Sequence, residues 1–223
     1  MMKRFARIAG TLMIVAGVGA FAWALTVWQW QDPFTAVTHE LEQRELAQSF
    51  ERRLERDPRL AAAGGELDIE AAAARWRESS RRGDAVARLR IPTLGVDEFV
   101  VNGTDTASLK QGPGRYLDSA MPGEGELVYI AGHRTTYGAP FSRIDSLAKG
   151  DRVFLELPYA TVQYEITGHR IVAANETSVL ESKGYEQLAL QACHPRFFAS
   201  HRWISYAKPV AITAPDATGA KLG

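Results

Sequence analysis

The chain is poor in cysteine, and Cys193 is the only one. A lone thiol closes no disulfide within its own chain and cannot build a multi-thiolate metal site. Three uses remain: an inert buried thiol, a link to another chain, or a nucleophile. Excess charge of either sign is also lacking. Lys and Arg number 26, Asp and Glu number 26, and the formal net charge is zero. Bulk electrostatics therefore give no reason to expect a nucleic-acid partner. No Gly-rich phosphate loop follows a strand-like run, which argues against a nucleotide site and its cofactor. There is no internal repeat, and the one low-complexity tract is an alanine-rich linker. Asp97, Glu98, Asp105, Asp118, Glu124 and Glu126 are scattered, with no compact run of ligands. No required metal is expected from them.

One long apolar run is present. After MMKRFAR, no charged residue occurs from Ile8 to Trp28. A helix that crosses hydrocarbon needs roughly 20 such residues. Lys3, Arg4 and Arg7 flank its start, and positive flanks tend to stay cytoplasmic. Trp23, Trp28 and Trp30 suit the far interface, where indoles sit at headgroup level. The expectation is a single-pass plasma-membrane anchor through residues 8–28, with everything after Gln31 outside the cytoplasm. The alternative is a signal peptide cut at Ala20-Phe21-Ala22. The apolar run continues past that site and exceeds the roughly 7–15-residue core of a signal peptide, which favours the anchor.

An apolar fraction of 46% over 223 residues supports one core-bearing domain plus extra length. Residues 1–31 are the tip and anchor, and residues 32–84 read as a helical stalk or linker. Val37, Leu41, Leu46, Phe50 and Leu54 recur at near-helical spacing among Glu and Arg. Asp57-Pro58 should end that helix, and Gly64-Gly65 is a break. A second helix is expected from about Glu66 to Arg82, with Leu67, Ile69, Ala73 and Trp76 as its apolar positions. The first expectation for this segment is a solvated stalk, with His39 carrying no role. The second is a segment that folds over a site and regulates access. Residues 85–213 change texture, and residues 214–223 read as a flexible tail. ARLRIPTLGV, EFVVN, ELVYIAG, RVFLEL, VQYEITGHRIVA, LALQAC and WISYAKPVAI read as strands between Gly, Pro and Asn punctuation. Such a series makes the domain mainly β, as a sandwich or barrel.

Cationic groups crowd the thiol: His194, Arg196, His201 and Arg202 all follow Cys193. Cysteine attacks as thiolate, and nearby cations lower its pKa. LALQAC reads as a strand ending at the cysteine, Pro195 interrupts it, and WISYA starts the next. Strands joined by a short loop tend to be neighbours, so Arg202 could point back at the thiol. A guanidinium there would donate to a carbonyl oxygen in fork geometry. Spacing alone leaves Arg196 and Arg202 as alternatives for that role. His201, next to Arg202, should face the other way on a strand. His133, where ELVYIA runs into a polar loop, is the candidate proton shuttle. His169 reads as a strand histidine, either packed or facing solvent.

These contexts resemble the sortases, membrane-anchored cysteine transpeptidases of Gram-positive bacteria. AGHRTTYGAPF is similar to the family's histidine loop. LQACHPRFFASHRWISYA is similar to its cysteine strand, loop and arginine strand. RIPTLGVD and QGPGRYLDSAMPGEGELVYIAGHR resemble its first strand and the approach to the histidine. The likeness spans about Ala85 to Thr213 and is greatest to the class E sortases of actinobacteria. It implies a closed eight-stranded β-barrel with short helices, behind a transmembrane helix. It also implies a catalytic set of His133, Cys193 and Arg202. The substrates implied are secreted proteins with a C-terminal Leu-Pro-x-Thr-Gly or Leu-Ala-x-Thr-Gly signal. The acceptor implied is the amine of a peptidoglycan precursor or a pilin lysine. Thr136, Tyr137, Ala192 and His194 are the candidate substrate-binding residues. Ala192 is also a departure, because the family commonly has threonine before the nucleophile. Two other classes stand beside this reading: a non-catalytic, membrane-tethered β-domain that binds cell wall, and a thiol peptidase.

Overall fold

The computed structural model describes residues 2–30, 33–56 and 68–213. The Asp57-Pro58 stop, the Gly64-Gly65 break, Leu67 and the tail 214–223 lie outside these residues. Helix α1 runs Met2–Trp30. Its segment Arg4–Leu25 has a mean hydropathy of 2.0, and no other part of the protein buries it. A helix that is apolar all round and uncovered calls for a lipid solvent. It is the one candidate membrane span among the described residues. Trp28 and Trp30 lie where side chains are not described.

Eight strands close into a barrel in the order β1-β2-β3-β4-β7-β8-β6-β5. They are β1 Ala85–Ile91, β2 Val96–Asn102, β3 Gly114–Arg115, β4 Leu127–Ala131, β5 Arg152–Glu156, β6 Thr161–Ala173, β7 Gln187–His194 and β8 His201–Thr213. The alternation that marks a half-buried strand is plain in β6. Val162, Tyr164 and Ile166 are buried there, while Gln163 and Glu165 are partly exposed. β4 differs in being buried along its whole length. Its Val128 and Ile130 join the barrel interior, and its Leu127 and Tyr129 join a second cluster on the outer face. That second cluster, with Val172, Val179, Ala189 and Ile204, makes a firm floor outside the barrel.

Two local readings change. ARLRIPTLGV is not one strand: Pro92 opens a 3-10 turn over Pro92–Leu94, which Gly95 closes at φ +69°. Proline supplies no ladder N–H, and the left-handed turn end favours glycine. The Gly-Pro-Gly at 112–114 is more than loop punctuation. Gly114 starts β3, which pairs parallel with β2 and antiparallel with β4.

The segment between anchor and barrel is not the solvated stalk expected. Helix α2, Pro33–Arg56, lies against β1 and β2. Gln43 Nε2 donates to the carbonyls of Phe99 and Gln111 at 3.1 and 2.8 Å, and its Oε1 accepts from Phe99 N at 2.6 Å. Leu46 and Ala47 are buried, and Arg53 donates to the Ala85 carbonyl at 2.9 Å. Helix α3 is Ile69–Ser79, shorter than expected at both ends, with Asp68 capping the Ala71 N–H. Its Trp76 is 1% exposed and enters the main core. The Trp76 indole N–H donates to the Val86 carbonyl at 2.9 Å, so burial leaves no polar atom unpaired. Helix α4, Thr106–Gln111, is capped by Asp105.

Candidate active site

The site is assembled by two strand pairings. β4 and β7 run parallel with Ala131 opposite Gln191, and the Gly132 N–H donates to the Gln191 carbonyl at 2.9 Å. Two residues beyond each of Ala131 and Gln191 stand His133 and Cys193. β7 and β8 run antiparallel with Cys193 directly opposite Arg202. Opposed residues on neighbouring strands share a face. Leu188, Leu190 and Ala192 belong to the interior cluster, so by alternation Gln191 and Cys193 face outward. Trp203, opposite Ala192, also belongs to the interior. Arg202 therefore shares the outer face with the thiol. Cys193 and Arg202 thus stand opposite each other at one end of the barrel's outer floor, and His133 lies two residues past the last β4–β7 pair at that end.

Each group has a defined setting. Cys193 is a free, partly exposed thiol. Arg202 Nη1 donates to the carbonyls of Ala199 and His201 at 2.8 and 3.0 Å. A guanidinium has five N–H donors, so the fork keeps donors for a further acceptor. Beneath it Tyr129 donates to Gln191 Oε1 at 2.5 Å. Burial pushes the Tyr129 phenol well above its usual range, against the opposing pull of Arg202, so it stays protonated. His133 Nε2 is buried with no hydrogen-bond partner. Burial, and then the charge of His39, hold its pKa below the ordinary histidine value. At neutral pH the ring is therefore uncharged and able to take a proton. The Phe141 ring packs so closely over Gly132 that a side chain there would collide with it. This packing and the Phe141 N–H to His133 carbonyl bond of 3.1 Å fix where the histidine leaves the sheet.

The second-tier residues separate. Tyr137 stacks obliquely on His133, with ring centres 5.1 Å apart, and Lys110 Nζ lies 5.7 Å from the Tyr137 ring. Thr136 is partly buried in the same loop and accepts from the Ala139 N–H at 3.0 Å. His194 follows the nucleophile, with its ring 5.7 Å from that of Trp203. Ala192 lies on the opposite face of β7 from the thiol. Its side chain is buried in the barrel interior, as strand alternation dictates when Cys193 faces out. Arg196 sits in the loop between β7 and β8, beside Phe197. The pairing of Cys193 with Arg202 favours the strand arginine. His201 is exposed and bonded to the Ser200 hydroxyl, and His169 stacks on Trp203 with centres 4.0 Å apart.

Two residues escaped the sequence reading. Arg134 is buried between the histidine loop and the cysteine strand. His39, given no role as a stalk residue, is buried against Gly138 of the histidine loop, with Nε2 3.1 Å from Glu98 Oε1. An HR pair opening a polar loop was a usable signal for Arg134, since a charged residue so near a strand end needs a partner. His39 had no such signal. A cavity of about 490 Å³ lies between α3 and the Leu127 end of β4, away from these groups. It is lined by Glu70, Asp118, Glu124 and Arg77 among others. Its lining includes none of His133, Cys193 and Arg202.

The closed eight-stranded barrel is the fold of the sortases. The sortase domain model matches residues 89–210, and the chain belongs to that family. Among curated relatives, sortase D of Bacillus subtilis is 36% identical over 132 residues, which are 57% of this chain and 65% of that protein. Sortase A of Bacillus anthracis is 28% identical over 109 residues, 48% of this chain and 51% of that protein. The chain thus spans between half and two thirds of the curated relatives it matches. The structure of sortase E from Streptomyces avermitilis superposes with a TM-score of 0.54 at 33% identity, covering 60% of this chain and 92% of that one. A Clostridium perfringens sortase D5 transpeptidase superposes at 0.62 and 24% identity, covering 76% and 99%.

Proposed function

We propose that the protein is a membrane-anchored cysteine transpeptidase that acts on secreted proteins bearing a C-terminal sorting signal. The observation that carries this reading is the pairing of Cys193 with Arg202, with His133 at the same level beyond β4. Cys193 Sγ attacks the threonine carbonyl of a Leu-Ala-x-Thr-Gly or Leu-Pro-x-Thr-Gly signal. The negative charge that develops on the carbonyl oxygen is met by the Arg202 fork. The Thr–Gly C–N bond breaks, and His133 gives the leaving amine the proton it took from the thiol. The thioester is then attacked by an incoming amine. His133 takes that amine's proton, and the C–S bond breaks to return Cys193. The product is a new amide, which attaches the secreted protein to a peptidoglycan precursor. In this reading Tyr137 and Thr136 border the signal peptide, the N-terminus is cytoplasmic and the barrel is outside. The histidine-loop sequence and the 33% identity to a sortase E support class E. The 36% identity to a sortase D supports class D as the neighbouring alternative.

The test is a mass-spectrometric transfer assay with both signal peptides and a glycine-based amine. A Thr–amine product that vanishes in Cys193→Ala is expected. Arg202→Ala should lower kcat/KM by about 100-fold or more, as loss of an oxyanion donor does, and Arg196→Ala by far less. Free acid formed at one rate with or without amine would make the protein a peptidase. A larger loss in Arg196→Ala would move the oxyanion role to the loop.

A further inference from the structure

We infer that Arg134 is a positioning residue for this site, replacing a missing rung of the β4–β7 ladder with its side chain. This rests on the proposed role of Cys193 and His133. In a parallel pair, rungs from one strand to its neighbour recur every two residues. The last backbone rung here is Gly132 N–H to the Gln191 carbonyl, at 2.9 Å. The next would run from residue 134 to the carbonyl of Cys193. The bond to that carbonyl comes instead from the Arg134 guanidinium, with Nη1 3.3 Å from the oxygen. The substitution lets the chain leave the sheet at His133 without losing its alignment with the nucleophile.

The same guanidinium has three further anchors. Nη1 lies 3.0 Å from His194 Nδ1, Nη2 lies 2.5 Å from Asp145 Oδ2, and Nε lies 3.5 Å from the Ser142 carbonyl. Arg134 is 3% exposed, so its charge is held by these partners and not by water. Guanidinium only donates, so Nδ1 of His194 must accept and its proton sits on Nε2. Burial holds the His194 pKa below its ordinary value, then the charges of Arg134 and His201, against the pull of Asp145. One side chain thus ties together the end of β7, the histidine loop and the 3-10 turn Ile144–Ser146 that carries Asp145. A lysine would keep the charge but could not reach two sides at once.

The experiment compares the full chain in detergent with R134Q, R134K and D145N. Transfer kinetics are paired with the NMR titration of His194. For R134Q, kcat should fall at least about tenfold with KM within about threefold, the mark of lost alignment and not lost binding. The His194 midpoint should move up. R134K should recover folding stability but only a minor part of kcat, and D145N should lose a smaller part with KM unchanged. Unchanged kcat in the folded variants would overturn the inference. So would a loss matched by the unfolded fraction with His194 unmoved. If R134Q does not fold, R134K and D145N decide by the same criterion. If the parent makes no transfer product, the transpeptidase reading fails, while the His194 titration still decides whether Arg134 holds the end of β7.

Discussion

Whether α2 is part of the working site can be settled at the contact between His39 and Gly138. Gly138 has φ +72°, and a methyl placed there would collide with the His39 ring. An alanine at such a φ costs about 1–2 kcal/mol in strain alone. The collision adds to this, because His39 is 8% exposed and backed by Glu98 at 3.1 Å. Overpacking of a filled site costs about 1–3 kcal/mol. Gly138→Ala should therefore destabilise by about 2–5 kcal/mol, summing the two costs. In a His39→Ala background only the strain remains, so the cost should drop to about 1–2 kcal/mol. The coupling of about 1–3 kcal/mol is what a double-mutant cycle reads. Urea unfolding of the full chain in detergent, followed by tryptophan fluorescence, measures all four corners. The same cost of Gly138→Ala in both backgrounds would refute the docking of His39 on the histidine loop.

The remaining predictions concern stability and pH. Trp76→Ala should cost about 3–5 kcal/mol, as large-to-small changes do at a filled core site. Trp76→Phe should cost less, chiefly the lost bond to the Val86 carbonyl, about 1 kcal/mol; urea midpoints at constant slope check both. The His133 pKa lies below the ordinary value of 6.5, so the acid limb of kcat/KM should also lie below it. Removing the His39 charge should move that limb up, and an unmoved limb in His39→Ala would refute the coupling. The same shift has a sign for stability. The unfolded chain takes up the His133 proton more readily, so this contribution is complete above 6.5. It is lost progressively as pH falls from there to the folded value, which pH-dependent unfolding of His133→Gln against the parent would show.

Signals with short-range causes were legible in the sequence. The uncharged run from Ile8 to Trp28 declared a helix for lipid, because span length and hydropathy are properties of one segment. Strand alternation in VQYEIT and the break at Pro195 gave β6 and the end of β7. The contexts around His133, Cys193 and Arg202 carried the family because each motif is contiguous. What the sequence could not carry were choices made by partners far along the chain. Arg202, and not Arg196, stands opposite Cys193 because of the register in which β7 and β8 pair. Ala192 faces inward because Cys193 faces out. β3 exists because β2 and β4 approach on either side of Gly114. The polar face of α2 looked like a solvated surface. Gln43 and His39 are spent instead on the β2 edge and the histidine loop, 56 and 99 residues away. A polar side chain reads alike in sequence whether it meets water or a backbone carbonyl. Only the closed barrel and the helix laid against it decide which.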